Sequence, residues 1–450
     1  MAFRALRTLC GPGLLLILLA VHARADLDDY VKAPDASYVW RLEATQEIPG
    51  VGTVLTLELT SQTWQGIVWK HWLQVLRPTK LDYPDHAMLV ISGGRNRNDP
   101  PKVSAEAMVL GQVAQRTGSV IAVLSQVPNQ PLFGDLKEDA LIAHTFVRYF
   151  ATGDETWPLL LPMTKSAVRA MDAIQAVLLD RFGVSPNRFA ITGGSKRGWT
   201  TWLAAAVDPR VIAIAPMVID TLNLGAQMKL QLETFGSYSD EIDEYTRIDL
   251  PSLAETPRGR RLLEIVDPYS YRKRLTMPKL IVLGTNDRYW PVDAVRLYYP
   301  ELEGEKHIHY VANAGHGLSV DALQVVAAFY QSVVAGGTRP RFDWKTERGA
   351  GEAKLSVTAA DPPEKAELWR ATAATRDFRG SKWAATPLSA TEDGRFVAAL
   401  PVPAEGYEAF YVGLTYKGPT GLTFTLCTNV EVVGEKAKVV TKPDGVETTR

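Results

Sequence analysis

The sequence predicts an α/β fold built around a mostly parallel sheet, followed by a smaller all-β region. Between residues 86 and 334, short apolar runs of strand length alternate with segments of helical periodicity, which is typical of a parallel sheet covered by helices on both faces. Residues 221–277 have mixed helical and charged character and interrupt this alternation, which predicts an inserted helical cap. Beyond residue 337 helical periodicity ends and short strand-like runs replace it.

The elements of the first region can be placed in order along the chain. Alternating, aromatic-rich segments at residues 54–59 and 67–76 predict an antiparallel edge to the sheet. The core strands are predicted at residues 86–92, 120–124, 187–192, 211–219, 279–283 and 307–311. The helices are predicted at residues 104–116, 138–150, 164–182, 199–207 and 319–334. Together they predict one domain over residues 26–337, with the cap at about residues 221–277.

A turn-rich linker separates this domain from the C-terminal region. Residues 336–340 read GGTRP, a composition typical of linkers. The strand-like runs beyond it lie at residues 354–358, 365–370, 395–400, 409–416 and 423–433. Their spacing predicts a β-sandwich domain of the immunoglobulin-like type over residues 338–450.

Residues 1–25 have the organisation of a secretory signal peptide. Arg4 and Arg7 precede an apolar run over residues 14–21, and residues 23–25 (ARA) supply the small-residue pattern after which signal peptidase cuts. The apolar run is about half the ~20 residues that a membrane span needs, so a retained anchor is the weaker alternative. We expect bacterial export to the periplasm or the exterior, with no stable membrane span after cleavage.

The charge balance excludes a global field for polyanionic partners. The chain has 49 Lys and Arg residues against 50 Asp and Glu residues, a net charge of −1. Residues 1–25 hold three arginines and no acidic residue, so the exported chain has 46 basic residues against 50 acidic ones and a net charge of −4. A weakly acidic protein does not attract nucleic acid through its overall charge. We therefore expect no nucleic-acid partner.

Residues 193–198 (GGSKRG) join a predicted strand to a predicted helix and contain the best candidate for a nucleophile. A serine at such a turn adopts a strained backbone and needs small neighbours so that strand and helix can approach; Gly193 and Gly194 meet that need. The N–H of Lys196 lies at the N-terminus of the helix, where a developing negative charge is favoured. Ser195 is therefore a candidate nucleophile and Lys196 a candidate oxyanion-hole residue. An ordinary Gly-Ser loop is the alternative.

The last two core strands lead into an acidic loop and a histidine loop, in the order that an α/β-hydrolase fold requires. In that fold the serine, the acid and the histidine follow one another along the chain, as Ser195, Asp287 and His316 do here. His316 can take the proton of the serine and return it to a leaving group. Asp287 can fix the tautomer of the imidazole. Asp293 on the same loop and Asp220 after the preceding strand are alternative acids.

Polar residues on two other loops complete the candidate site. Gly94 or Arg95 stands where an α/β-hydrolase draws its second oxyanion N–H, and the ammonium group of Lys196 is a second-choice donor. Candidates for orienting a polar substrate at the same sheet edge are Arg97, Gln126 and Asn129. Polar surface loops without a function are the alternative.

The sequence predicts neither a metal site nor a cofactor. His307 and His309 share a strand face, but no third ligand is near in sequence and no HExxH motif occurs. No GxGxxG motif follows a strand, and a Walker A lysine is absent. The expected partner is a small-molecule or peptide substrate that binds at a local site, and the oligomeric state is left open.

Five motifs resemble those of the PhoPQ-activated pathogenicity-related protein family. They are residues 90–94 (VISGG), 128–131 (PNQP), 157–163 (WPLLLPM), 193–200 (GGSKRGWT) and 284–287 (GTND). The resemblance covers nearly the whole chain after the signal, including the C-terminal β region. It implies an exported bacterial α/β-hydrolase, in a family named for regulation by a virulence-associated two-component system, and it supports the roles of Ser195, Asp287 and His316.

One position departs from the usual nucleophile turn of α/β-hydrolases. The usual motif is G-x-S-x-G, but here Arg197 stands two places after the serine and Gly198 follows one place later. This G-x-S-x-x-G form resembles glucuronoyl esterases, in which a basic residue directly follows the nucleophile. The resemblance gives Lys196 weight as a contributor to the oxyanion hole. A site that no longer turns over is the alternative.

These observations predict an exported serine hydrolase that cleaves an ester or amide bond through a Ser-His-Asp triad and an acyl-enzyme intermediate. The inserted cap is expected to restrict access and to favour short peptides or small esters. Two alternatives remain open. One is a noncatalytic secreted binding or signalling protein on a hydrolase scaffold. The other is a carbohydrate esterase whose terminal sandwich binds glycan through Trp344, Trp369 and Trp383.

Overall fold

The structure of the protein, a computed structural model, describes residues 26–349, 351–418, 421 and 423–435. The predicted signal peptide, residues 1–25, lies outside the described residues, as do residues 436–450 of the predicted C-terminal domain. Within the described ranges no helix combines the length and the apolar character needed to cross a bilayer.

Seventeen strands and ten α-helices make up the described part of the chain. The strands are β1 (Val39–Ile48), β2 (Gly52–Trp64), β3 (Ile67–Arg77), β4 (His86–Ile91), β5 (Val120–Leu124), β6 (Arg188–Gly194), β7 (Val211–Met217), β8 (Lys279–Gly284), β9 (Lys306–Val311), β10 (Phe342–Arg348), β11 (Glu352–Ala359), β12 (Lys365–Ala373), β13 (Ala384–Pro387), β14 (Phe396–Pro401), β15 (Gly406–Lys417), β16 (Thr423–Cys427) and β17 (Glu431–Glu435). The helices are α1 (Leu27–Lys32), α2 (Ala105–Thr117), α3 (Glu138–Thr152), α4 (Leu160–Phe182), α5 (Lys196–Val207), α6 (Leu224–Phe235), α7 (Asp243–Thr246), α8 (Leu250–Ala254), α9 (Pro257–Val266) and α10 (Val320–Val334).

The first nine strands form one sheet in the order β1-β2-β3-β5-β4-β6-β7-β8-β9. The five pairings from β5-β4 to β8-β9 are parallel, whereas β1 to β3 form an antiparallel meander that pairs with β5. Strands β4 and β8 are buried along their whole length, as expected where helices cover both faces of a parallel sheet. The prediction of a mostly parallel sheet with an antiparallel N-terminal edge is confirmed.

Helices pack on both faces of this sheet. Ala87 and Leu89 of β4 join an apolar core with α4 and α5, whereas Met88 and Val90 of the same strand pack with α2 and α10. Successive strand residues point to opposite faces, so each central strand contributes to two cores. This layering places the carboxyl ends of β6, β8 and β9, which precede the candidate catalytic residues, along one edge of the sheet.

The interruption predicted at residues 221–277 is helical. It contains α6 to α9 and a 3₁₀ helix over Pro268–Arg274, and it lies between β7 and β8. The indole N–H of Trp199, in the helix that follows Ser195, donates to the carbonyl of Val266 at 2.6 Å. The inserted segment is therefore fastened directly to the helix that carries the candidate nucleophile at its start.

The C-terminal strands form two sheets. Strands β12, β13, β15, β16 and β17 continue the central sheet, which β16 reaches through an antiparallel bridge between Cys427 and Ile308 of β9. Strands β10, β11 and β14 form a separate antiparallel sheet. Apolar side chains of the two sheets share one core, with Leu355 of β11 and Val412 of β15 among them. The C-terminal region is thus joined to the central sheet by strand pairing.

The structure differs from the sequence prediction near both ends of the described chain. The single strand predicted over residues 423–433 is wrong, because β16 and β17 are separated at Thr428. The hydroxyl of Thr428 accepts a hydrogen bond from the N–H of Val412 at 3.0 Å, so a side chain replaces a strand partner there. Strands β1, β10 and β13 were not predicted. They are edge strands with many exposed positions, and their apolar alternation is correspondingly weak.

Candidate active site

Ser195 lies at the sharp turn between β6 and α5. Its backbone has φ 56° and ψ −126°, a conformation that a residue with a Cβ adopts only where its surroundings enforce it. The Ser195 N–H donates to the carbonyl of Met217 at 2.9 Å, and the Trp199 N–H donates to the Ser195 carbonyl at 3.0 Å. The structure therefore holds this serine in the strained turn that the strand-to-helix motif predicts.

Two glycines of this turn are required by close packing. A Cβ on Gly193 would lie 2.8 Å from backbone atoms of Arg197, and a Cβ on Gly198 would lie 2.9 Å from the carbonyl oxygen of Gly193. A Cβ on Gly194 would meet open space. The small residue that α5 needs against β6 thus stands three places after Ser195. This spacing gives a physical reason for the G-x-S-x-x-G form.

Asp287 and His316 are in direct contact. Nδ1 of His316 lies 2.9 Å from Oδ2 and 3.1 Å from Oδ1 of Asp287. Asp287 is buried, and its Oδ1 also accepts from the N–H of Tyr289 at 2.9 Å. A carboxylate beside Nδ1 keeps the proton of a neutral imidazole on that nitrogen. Nε2 of His316 is then the basic nitrogen, and it has no hydrogen-bond partner among the described residues.

The two alternative acids are engaged elsewhere. Asp293 forms ion pairs with Arg296, at 2.9 Å, and with Arg376. Asp220 accepts a hydrogen bond from the hydroxyl of Tyr298 at 2.5 Å, and complete burial raises its pKa to about 7. In the described part of the chain, the carboxylate that contacts the His316 ring belongs to Asp287.

Aromatic stacking fixes the plane of the His316 ring. The ring of Tyr289 stacks on it with a centroid distance of 4.1 Å and an interplanar angle of 30°. The hydroxyl of Tyr289 lies 3.5 Å from Oδ2 of Asp139. Ser195 and His316 border the same cavity, together with Tyr289. The serine and the oriented histidine therefore border one binding space.

The ammonium group of Lys196 is held by carboxylates. Its Nζ lies 2.5 Å from Oδ2 of Asp139 and 3.8 Å from Oε2 of Glu138, and the residue is buried. This pairing commits the ammonium group to Asp139. The backbone N–H of Lys196 lies at the start of α5, where helical N–H groups have no partner within the helix. Its part in an oxyanion hole stays a prediction.

Gly94 and Arg95 lie on the loop after β4. Gly94 has φ +117°, and its carbonyl accepts from the side chain of Gln130 at 3.2 Å. The exposed guanidinium of Arg95 lies 3.8 Å from Asp135. The cavity that Ser195 shares with His316 is bordered by neither Gly94 nor Arg95. Their part in an oxyanion hole stays a prediction.

Of the three predicted substrate-binding residues, Gln126 and Asn129 lie on the loop after β5, and Arg97 lies on the loop after β4. Gln126 is buried, and its carbonyl lies 3.1 Å from Nδ1 of His71. Asn129 is also buried, and its amide donates to the carbonyl of Lys70 at 2.7 Å. Arg97 is exposed. The contacts of Gln126 and Asn129 hold the loop against β3, and a substrate contact by any of the three stays a prediction.

Arg197 anchors the nucleophile turn, a role that the sequence motif did not suggest. Its guanidinium donates two hydrogen bonds to Glu138, at 2.6 and 2.8 Å, and one to the carbonyl of Val127 at 2.5 Å. Burial opposes ionisation of Glu138, but the Arg197 guanidinium outweighs burial and lowers the pKa of that carboxyl. A Cβ on Gly93 would lie 2.4 Å from the guanidinium. Gly93 is thus required for this contact.

A loop of the C-terminal region, residues 376–383, holds the loops that carry the candidate acid and histidine. The side chain of Asn313 donates to the carbonyl of Trp383 at 3.0 Å and accepts from its N–H at 2.8 Å. The side chain of Asn286 donates to the carbonyl of Ser381 at 2.7 Å. Both asparagines stand within three residues of a candidate catalytic residue. We call residues 376–383 the bracing loop.

The acid loop and the histidine loop also bind each other. The N–H of Asn313 donates to the hydroxyl of Thr285 at 2.8 Å, and the N–H of Asn286 donates to the carbonyl of Ala314 at 2.9 Å. A Cβ on Gly284 would lie 2.5 Å from that same carbonyl oxygen. The two loops are therefore packed backbone against backbone, and the bracing loop closes over them.

The three tryptophans considered as a glycan platform contact protein groups. Trp383 is 2% exposed, and its ring packs against Tyr411 at 5.5 Å. Trp369 is half-buried and stacks on Tyr411 at 6.2 Å with an interplanar angle of 7°. Trp344 is half-buried against Tyr299. These contacts give the rings a packing role.

Histidines outside the candidate triad pair with neighbouring protein groups. Nε2 of His307 lies 2.9 Å from Glu305, and Nδ1 of His309 lies 2.8 Å from the carbonyl of Thr425. Over the described ranges, no group of three or more His, Cys, Asp or Glu side chains is arranged to hold a metal ion.

The parallel sheet, the strained Ser195 after β6 and the contact between Asp287 and His316 after β8 and β9 define an α/β-hydrolase fold. The chain belongs to the PhoPQ-activated pathogenicity-related protein family, whose sequence profile matches residues 27–379. It is 33% identical over 439 residues to the "Autocrine proliferation repressor protein A" of Dictyostelium discoideum, a match that covers 90% of this chain and 88% of that protein. The family resemblance predicted from the five motifs is confirmed.

Solved α/β structures resemble parts of the chain at low sequence identity. Acetyl xylan esterase 1 of a Thermoanaerobacterium species is 14% identical with a TM-score of 0.47, and the match covers 68% of this chain and 93% of that one. An S-formylglutathione hydrolase of Agrobacterium tumefaciens is 15% identical with a TM-score of 0.43, covering 66% of this chain and 99% of that one. Likeness at this level carries no information on the substrate of the present protein.

Proposed function

We propose that the protein is a serine hydrolase that cleaves an ester or amide bond, with Ser195 as nucleophile, His316 as base and acid, and Asp287 as the orienting carboxylate. One observation carries the proposal. An imidazole bound at Nδ1 by Asp287, and unpaired at Nε2, borders the same cavity as a serine with a strained backbone. Nucleophilic catalysis by a serine needs a base that a third group orients in this way, beside the same binding space.

The proposed reaction has two halves. Oγ of Ser195 attacks the carbonyl carbon while its proton passes to Nε2 of His316, and the Asp287 carboxylate stabilises the imidazolium. The bond to the leaving group then breaks, and the alcohol or amine departs with the proton of His316. Water attacks the acyl-enzyme by the same route, which releases the carboxylic acid and restores Ser195 and neutral His316.

Backbone groups would stabilise the oxyanion. The N–H of Lys196 stands at the N-terminus of α5, a helix of 12 residues, where the helix dipole favours negative charge. We propose that N–H of Gly94 or Arg95 supplies the second hydrogen bond. The ammonium group of Lys196, which is paired with Asp139, would instead fix the start of the helix.

Reaction with a fluorophosphonate probe tests the proposal. The mature protein is expected to form one covalent adduct, located on Ser195 by peptide mass spectrometry, and the Ser195→Ala variant none. The His316→Ala variant should react at least about 100-fold more slowly, because general-base catalysis contributes about 10²- to 10⁴-fold. A folded wild-type protein that does not react at Ser195 overturns the proposal.

A noncatalytic signalling role is the second candidate, and the name of the Dictyostelium relative, an autocrine proliferation repressor, is the observation that favours it. The Ser195→Ala variant separates the two candidates, since Ser195 is half-buried in the turn and alanine keeps the backbone hydrogen bonds to Met217 and Trp199 that hold it there. The enzyme proposal expects loss of the biological effect in a folded variant. An unchanged effect would favour the signalling role.

We propose further that the protein is exported and acts outside the cytoplasm, in the setting that the pathogenicity-related family name suggests. The support is the arrangement of residues 1–25, with Arg4, Arg7 and the apolar run ahead of the ARA sequence. Sequencing of the N-terminus of the protein recovered from the periplasm or medium is expected to begin at Asp26. A protein retained in the cytoplasm with Met1 in place would refute export.

A further inference from the structure

The cavity beside Ser195 and His316 is roofed by the inserted helical segment. Its volume is about 140 Å³. The floor is formed by Ser195, the start of α5 and the residues that follow β7, and the roof by α6 and α8. A cavity between a catalytic serine and a separate roof is where the substituent of a substrate lies. The side chains that line the cavity therefore indicate the chemistry of that substituent.

The walls of the cavity are predominantly apolar. They include Trp199, Val218, Ile219, Leu250 and Trp290, each less than 9% exposed. The aliphatic side chains exclude water and offer no directional partner to a sugar hydroxyl or a peptide group, and the indole N–H of Trp199 is already bonded to the carbonyl of Val266. The walls fit an apolar substituent.

One face of α6 extends this apolar surface to the mouth of the cavity. Leu224, Met228 and Leu232 are spaced four residues apart and all border the cavity, as residues on one helical face do. Leu232 at the outer end is 43% exposed. A large apolar side chain exposed at the mouth of an apolar cavity provides a surface for the far end of a long substituent.

The charged groups of the cavity offer little to a charged substrate. Lys196 and Asp139 pair with each other at 2.5 Å, so their charges are already compensated. Lys229 and Glu255 are exposed at the rim. One buried polar atom of the wall, the hydroxyl oxygen of Thr221, has no hydrogen-bond partner among the residues that the structure describes. It provides one polar contact in a predominantly apolar wall.

We propose that the substrate carries one large apolar group, an acyl chain or an aromatic or alkyl alcohol, that fills this cavity during attack by Ser195. The inference rests on the proposed serine hydrolase function and adds the substrate class to it. Selectivity then comes from apolar burial between α6 and the residues after β7. Hydrolysis leaves the apolar group on the released acid or on the released alcohol, depending on which side of the scissile bond it lies.

Two series of esters test the proposal and distinguish the two sides of the scissile bond. One series joins acetate, butyrate, hexanoate and octanoate to p-nitrophenol, and the other joins acetate to methyl, butyl, hexyl and octyl alcohol. In one series kcat/KM should rise roughly fourfold for each added methylene until the cavity is full. Values that stay level or fall in both series overturn the substrate class. If Ser195 still reacts with the fluorophosphonate probe, the proposed hydrolase function survives that result.

Filling the cavity provides a second measurement. Gly225 of α6 borders the cavity, and a Cβ built on it meets nothing within 4 Å. In the Gly225→Leu variant, most of the rise in kcat/KM from the shortest to the longest ester should be lost. Glu233→Leu places the same side chain on an exposed position of the same helix, away from the cavity, and should keep the wild-type profile.

Enlarging the cavity should change the ester preference in the opposite direction. It keeps the proposal testable if the Gly225→Leu variant does not fold. Met228→Ala removes a wall side chain, so the ratio of octyl to butyl ester hydrolysis should rise above the wild-type ratio. The proposal is overturned if Gly225→Leu and Met228→Ala both fold, as judged by circular dichroism, and both keep the wild-type ratio.

Discussion

Replacing Asn313 by glycine removes the side chain that ties the histidine loop to the bracing loop. Asn313 makes two hydrogen bonds to backbone groups of Trp383, at 2.8 and 3.0 Å, from a position three residues before His316. The backbone of Asn313 has φ +60°, which glycine adopts without strain. The substitution therefore removes the side-chain contacts and leaves the backbone of the loop compatible with its present conformation.

The size of the effect follows from the two lost bonds. Trp383 is 2% exposed, and a buried backbone group left unpaired costs about 1–3 kcal/mol. Two such groups give a fall of about 2–6 kcal/mol in the free energy of unfolding, compared with a usual stability of about 5–15 kcal/mol. The chain stays folded while the histidine loop loosens. Displacement of a catalytic group by about 1 Å costs about 100-fold in rate, so we expect kcat to fall by about 10- to 100-fold with little change in KM.

Steady-state hydrolysis of p-nitrophenyl butyrate and amide hydrogen exchange of residues 312–317 measure this effect. Thr428→Val is the matched control, because it removes a buried hydroxyl of the C-terminal region whose hydrogen bonds go to Val412, at 3.0 Å, and Asn429, and not to the acid or histidine loop. It should lower the thermal midpoint and keep kcat. The reasoning is refuted if Asn313→Gly keeps the wild-type kcat, or if Thr428→Val loses as much kcat as Asn313→Gly.

Three further changes test the site and its supports. Asp287→Asn presents a donor to Nδ1 of His316 and favours the wrong tautomer, so kcat/KM should fall by roughly 10⁴-fold with an unchanged circular dichroism spectrum; wild-type kinetics would contradict the role of Asp287. Gly198→Ala places a methyl group against backbone oxygens and should lower the free energy of unfolding, measured by denaturant titration, by about 1–3 kcal/mol. Gly194→Ala, whose methyl group meets open space, should lower it less. Equal losses in the two variants would contradict the packing argument. Burial raises the pKa of Asp220 to about 7 in the folded protein, whereas the pKa of an aspartate in an unfolded chain is about 3.9. Between these two pH values the folded state binds more protons than the unfolded state. The stability of the fold therefore falls as the pH rises through about 7. Asp220→Asn should reduce that fall, and a variant with the wild-type pH dependence of unfolding would refute this assignment.

The strand and helix pattern of the central region could be predicted because it depends on local apolar periodicity. Fully buried strands such as β4 and β8 read as continuous apolar runs, and the helices between them have a clear stripe. The chain order of Ser195, Asp287 and His316 also follows from this pattern, since each stands just after a strand that the pattern locates. The contact between Asp287 and His316 is what that order leads one to expect.

The supports of the site could not be predicted because they are long-range. The bonds from Asn286 and Asn313 to the bracing loop join residues 95 and 70 positions apart, and an isolated asparagine carries no signal for such a partner. The ion pair between Arg197 and Glu138 spans 59 positions and depends on where α3 packs. Local patterns determine which elements form, whereas these contacts depend on how the finished elements meet.

The cavity could not be predicted from the sequence either. Leu224 and Met228 have the spacing of any amphipathic helix, and the same stripe would fit a helix packed wholly into the core. The structure distinguishes the two cases because α6 packs over the edge of the sheet that carries Ser195, and its apolar face meets a cavity there. A cap expected only to restrict access is thus also the apolar wall of the binding space.

Formation of an acyl-enzyme on Ser195 tests the proposed function most directly. The protein is mixed with p-nitrophenyl butyrate, quenched in acid during turnover, digested and analysed by mass spectrometry. We predict a burst of p-nitrophenol equal to the amount of enzyme and a butyryl group on the peptide that contains Ser195, with neither in the Ser195→Ala variant. Turnover that continues in Ser195→Ala, or an unmodified Ser195 in a protein that is hydrolysing the ester, would contradict it.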